Sequence, residues 1–160
     1  MAKSIQDKEQ QEWRLSVAND LLKRRTKFFA SLEEKISWKQ VAKQTNLEEE
    51  VLSSLNLDLD GKALSPSDVG WKGLSSGGYY AYVGHPFADA PSELVARGLA
   101  ALVGVVVLPG SFFRPVEKAQ TDRDMRFSIA NVESSKLDTL AARLLLLHAL
   151  WTNKGIGWGI

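Results

Sequence analysis

The sequence predicts a two-layer α+β fold: a small, mostly antiparallel sheet covered by helices and preceded by a long connector helix. Three observations predict it. Residues from about Gln6 to Glu34 carry an apolar stripe at helical spacing with no proline or glycine. Three short segments, Tyr79 to Val83, Val105 to Leu108 and Arg126 to Val132, alternate or run apolar as strands do. Two more helical patterns, Pro91 to Val103 and Leu137 to Trp151, lie between and after them. Strands interleaved with helices in this way bury one sheet face under a helical layer.

In the first helix Trp13, Val17 and Leu21 recur every four residues, Phe28 and Leu32 continue the stripe, and Leu22 and Phe29 widen it. The other side carries Lys23, Arg24, Arg25 and Lys27, a run that reads as a solvated face rather than a phosphate patch in so neutral a chain. Residues 35–73 read as an inserted helical and loop segment. Ser37 is placed to cap Trp38 to Gln44, and Asn46 to cap Leu47 to Leu55, whose first turn holds Glu48, Glu49 and Glu50. Asn56-Leu57-Asp58-Leu59-Asp60-Gly61 copies the opening of a calcium loop, with oxygens at alternate positions and glycine sixth. Its twelfth position is Ser67 rather than a bidentate glutamate, and Pro66 obstructs the helix that should follow. Gly61, Pro66, Gly70 and Gly73 mark the remainder as loop.

Gly77 and Gly78 open the strand Tyr79 to Val83, whose tyrosines suit either a stacking platform or ordinary strand faces. His85 stands in the following turn without a partner visible in the sequence. Pro91 and Ser92 start a helix with Glu93 in its first turn and Leu94, Val95, Leu99 and Leu102 as its apolar face. Gly104 stops it. Val105 to Leu108 is β-branched and apolar, as in a buried strand, and Pro109-Gly110-Ser111 ends it. After a polar, charged loop from Lys118 to Asp124, Arg126 stands at the mouth of the last strand. It reads as a solvated strand-edge charge or as a fork of donors for a carboxylate or phosphate. Ser134 or Ser135 caps the last helix, with Leu137, Leu140, Leu144, Leu147 and Trp151 as its stripe, Ala141 and Leu145 beside it, and His148 as a packing residue. The glycine-rich tail 152–160 fits no pattern.

At 160 residues the chain is one domain, or one domain with an arm, and its 44% apolar and 24% charged content is that of an ordinary globular protein. A net charge of +1 implies no general pull toward nucleic acid or anionic membrane. With no cysteine and two histidines, thiolate chemistry, disulfides and His/Cys metal sites are excluded. Met1 to Asp7 lacks the apolar run of a signal peptide, and Ala100 to Pro109 is too short to span a bilayer, so a cytoplasmic location is expected.

Four stretches in order, Gly77 to Val83, Gly104 to Phe113, Arg126 to Val132 (RFSIANV) and the helix Leu137 to Trp151, resemble the C-terminal small domain of class I/II aminotransferases, the fold type I pyridoxal-phosphate enzymes. The resemblance covers about residues 74–150 and, more weakly, the long helix, which looks like that family's connector between large and small domains. It implies amino-group transfer between amino acids and keto acids, pyridoxal phosphate as cofactor, and Arg126 as the arginine that grips the substrate α-carboxylate. Phe112-Phe113-Arg114-Pro115 departs from the family, whose members often carry a glycine after the aromatic. The organisation implied is 1–34 connector helix, 35–73 insertion, 74–151 small domain and 152–160 tail.

Transamination needs a Schiff-base lysine, a carboxylate at the pyridine nitrogen and donors for the phosphate. In the family all three come from the large domain. The stand-ins are weak. Lys136 in Ser134-Ser135-Lys136 lies downstream of Arg126, Lys35 and Lys39 lie in the insertion, and no glycine-rich loop follows a strand. The expectation is therefore half of a substrate site with no cofactor site, inactive alone. Three readings follow: a small domain that works with a large domain from another chain, a non-catalytic module binding a full-length aminotransferase as a partner in its dimer, or a truncated gene product.

Overall fold

The computed structural model describes residues 2–115 and 123–153. Helix α1 spans Ala2–Glu33, α2 Trp38–Thr45, α3 Glu49–Ser53, α4 Ser92–Val103 and α5 Leu140–Asn153. Strand β1 spans Lys72–Gly77, β2 Tyr80–Gly84, β3 Leu108–Pro109 and β4 Asp124–Ser128. All strand pairs are antiparallel and the spatial order is β1-β2-β4-β3. The two-layer α+β architecture follows from one alternation: Ala81, Val83, Met125 and Phe127 are buried toward the helices, while the residues between them face the other way.

α5 is the hub. Leu140, Ala141, Ala142, Leu144, Leu145, Leu146, Leu147 and Ala149 are all buried, so the helix is enclosed on most sides rather than along one stripe. Val41 and Ala42 of α2, Leu52 of α3 and Val95 and Leu99 of α4 join it in a single core. Gly98 permits close approach, since a Cβ there would stand 3.3 Å from the Trp151 ring. Phe28 of α1 packs edge-on against Phe127 of β4, with ring centroids 5.2 Å apart. No described helix is long and apolar enough to cross a membrane.

Several local expectations hold in detail. Ser37 and Gln40 form a reciprocal capping box on α2. Pro91 precedes α4, Glu93 lies in its first turn, and Gly104 ends it in the left-handed conformation at φ 68°. Gly78, at φ 53°, turns β1 into β2.

Others are corrected. The apolar stripe of α1 is buried only at its C-terminal end: Phe28 and Leu32 are in the core, whereas Trp13 is 66% exposed. Residues 4–16 are exposed, with no described layer packed on them, and Val17 and Leu21 are half-buried. Asn46 is not an N-cap. It ends α2 in the left-handed conformation, and α3 starts later, after Glu48. Lys72 and Gly73, read as the end of a loop, begin the edge strand β1, which was not expected, because backbone pairing with β2 compensates for its weak composition. The buried strand expected at Val105 to Leu108 shrinks to Leu108–Pro109, and Val106 is 83% exposed. The chain leaves α4 through left-handed Gly104 and the Val105 N–H bonds back to the Leu99 carbonyl, so the ladder begins late. The last helix starts not with a serine cap but with a 3-10 segment, Ser134–Thr139, led by Glu133. On α4 the buried face is Val95, Ala96, Leu99 and Val103, with Leu102 exposed. Most of the polar loop after Lys118 and the tail from residue 154 lie outside the described residues.

The basic run of α1 is not merely solvated. Arg24 Nη1 donates to the carbonyls of Ala130 and Val132 at 2.7 and 2.8 Å, and its Nε pairs with Asp20 at 3.0 Å. Lys27 pairs with Asp138 at 2.6 Å. Both cations tie α1 to the chain leaving β4.

Candidate functional site

Arg126 lies at the centre of β4, not at its mouth, opposite Tyr82 of β2 and Leu108 of β3. Because Met125 and Phe127 turn inward, strand alternation forces Arg126 onto the opposite face of the sheet. There its guanidinium carbon stands 4.2 Å from the ring centroid of Tyr80 and 3.9 Å from that of Phe113. Tyr80 is presented by β2 and Phe113 by the 3-10 turn Gly110–Phe113 that follows β3. Two cation–π contacts hold the planar group between aromatic faces and restrict its rotamers. Its Nε is buried and makes no hydrogen bond, and Arg126 has no ion pair among the described residues. Asp124, two residues back on the same strand, is paired with Arg114. Both rings lie within cation–π distance of the guanidinium carbon, and a guanidinium fork is the group that pairs bidentately with a carboxylate or phosphate.

The other tyrosines divide as a strand divides them. Tyr82 shares the face of Arg126, and Tyr79 lies in the turn, 55% exposed. The sequence contained no signal for the stack itself, since Tyr80, Phe113 and Arg126 meet only through strand pairing.

His85 is buried, and its Nδ1 accepts the Phe87 N–H at 3.3 Å. Burial, with Arg123 nearby, pushes its pKa down to about 4. Its Nε2 has no hydrogen-bond partner among the described residues, and its ring stacks with Phe87, which also stacks with Trp151 at 4.3 Å and His148 at 6.0 Å. Both histidines thus belong to an aromatic cluster rather than to the Arg126 site. In the calcium-like stretch Asp60 is paired with Lys39, and Asp58 accepts the Asp60 N–H at 3.2 Å. No metal-binding cluster occurs among the described residues.

No family model, no curated protein and no solved structure matches the chain. Its chemistry must therefore be read from the site alone. The three lysines considered as stand-ins for a Schiff-base lysine are not brought to Arg126. Lys35 is paired with Asp68 at 3.6 Å and Lys39 with Asp60, while Lys136 lines a separate cleft in which Arg126 takes no part. What the site holds is a guanidinium between two aromatic rings, with no ion pair among the described residues.

Proposed function

We propose that this chain supplies the carboxylate-reading side of a pyridoxal-phosphate-dependent class I/II aminotransferase acting in the cytoplasm, with the cofactor held by a body outside the described residues. One observation carries the reading: Arg126 is clamped between Tyr80 and Phe113 with no ion-pair partner among the described residues. Amino acids and 2-oxo acids share an α-carboxylate, and a fixed guanidinium edge binds it through two parallel charge-assisted bonds. Clamping the side chain beforehand lowers the entropy lost on binding. The sequence pattern from Gly77 to Trp151 supports the reading, and the resemblance, which assigns the Schiff-base lysine to the large domain, implies an isolated chain without transaminase activity.

The test is a titration of the chain with pyruvate, followed by NMR of the Arg126 side chain. Arg126→Lys keeps the charge and removes the fork, and is expected to weaken binding at least tenfold with little change in thermal stability. Unchanged binding, or a loss of fold equal to the loss of binding, would count against the reading. Reduction with borohydride in the presence of pyridoxal phosphate should give no single stoichiometric lysine adduct.

A second reading has its own support. Leu108, Phe112 and Phe113 are exposed beside Arg126, with Phe112 at 65%, an apolar rim suited to cover by another protein. In this reading the chain is a non-catalytic module that docks on a full-length aminotransferase. Co-purification with such an enzyme without added activity distinguishes it from the first.

A further inference from the structure

A second site lies where the end of β4, the segment after α4, α1 and the start of α5 converge. A cleft of about 430 Å3 opens there, within the range of small-molecule sites. Its floor is apolar: Phe28, Phe127, Leu137 and Leu140 line it and are all nearly fully buried. Its polar lining includes two cations, Lys136 and Arg143, and no acidic residue.

Neither cation has an ion pair among the described residues. Arg143 is held in place, with Nη1 donating to the Val103 carbonyl at the end of α4 and Nε to Thr139 Oγ1 at 3.1 Å. Both acceptors are uncharged, and Arg143 has no ion pair among the described residues. Lys136 is exposed and has none either, because the nearby Asp138 is taken by Lys27. Two unpaired cations beside a buried apolar floor complement one chemical class, an anionic head on an apolar body.

We propose that this cleft binds a free medium-chain monocarboxylate, its carboxylate at Lys136 and Arg143 and its chain on the floor formed by Phe28, Phe127, Leu137 and Leu140. The site is independent of Arg126, so it stands whether or not the aminotransferase reading does. Arg143 also satisfies the Val103 carbonyl at the end of α4, so its replacement would perturb the fold, whereas Lys136 is exposed and can be changed freely.

Titrations of the chain with octanoate, decanoate and decanol test the proposal, read by calorimetry and by NMR shifts of the cleft methyl groups. Decanoate is expected to bind one to one. Octanoate should bind more weakly by roughly fourfold per methylene lost, which corresponds to about 0.8 kcal/mol for each. Decanol should bind at least tenfold more weakly than decanoate. Lys136→Glu should weaken decanoate at least tenfold and leave decanol unchanged, with Lys136→Gln between, and circular dichroism should show all variants folded. Equal affinity for decanol and decanoate, indifference to Lys136→Glu, shifts centred away from the cleft, or no saturable binding would each overturn the proposal.

Discussion

Arg126 owes its position to its neighbours in β4. Met125 and Phe127 must be buried, and the two-residue period of a strand then delivers the residue between them to the opposite face. The sequence made Arg126 a candidate but placed it at the strand mouth, because the ladder's start at Asp124 depends on pairing with Gly84. His85 is the converse case: a residue with functional potential that packing has silenced. Its pKa falls from 6.5 to about 4, so between those pH values the unfolded chain binds more protons than the folded one. Stability therefore rises with pH through this window, is fully present above about 6.5, and is lost as pH falls toward 4. At about 1.4 kcal/mol per pH unit the total is about 3 kcal/mol. His148, whose pKa burial also lowers, adds in the same direction. Urea denaturation at pH 4.5 and pH 7 measures this, and His85→Leu is expected to reduce the difference between the two.

At the scale of elements, α1 meets the sheet through a small number of contacts near its C-terminal end. Phe28 lies on Phe127, and Gly73 of β1 passes so close that a Cβ there would come within 2.9 Å of the Phe29 ring. Arg24 fastens the helix to the carbonyls of Ala130 and Val132. Hydrogen bonds from a charged donor contribute about 1.5–3 kcal/mol, and the pair with Asp20, exposed on one side, adds little. Arg24→Ala is expected to destabilise the fold by about 2–3 kcal/mol, seen as a lower denaturant midpoint at unchanged slope. The basic run containing Arg24 was visible in the sequence. Its role was not, because the two acceptors are backbone carbonyls more than a hundred residues away. β1 escaped notice for a related reason: Lys-Gly-Leu-Ser-Ser-Gly has little preference for a strand and becomes one only beside β2.

For the whole molecule, one core joins the segment 35–73 to the rest through Val41, Leu52, Leu55 and Trp71, while the first half of α1 stays outside it. Residues 4–16 are exposed throughout. Deleting residues 1–16 should therefore leave one cooperative thermal transition, shifted by no more than about 4 °C, equivalent to roughly 1 kcal/mol for a chain of this size. Loss of cooperative folding would show that the arm belongs to the core.

The sequence by itself determined the α+β class, the cap of α2, the bounds of α4 and the apolar character of α5. Each depends on residues a few positions apart, where periodicity and capping act. The tertiary structure alone decided which part of the α1 stripe is buried, that 72–77 is a strand, that 105–107 is not, and that Arg126 sits between Tyr80 and Phe113. Those outcomes depend on contacts between distant segments, and no local pattern encodes which surfaces will meet.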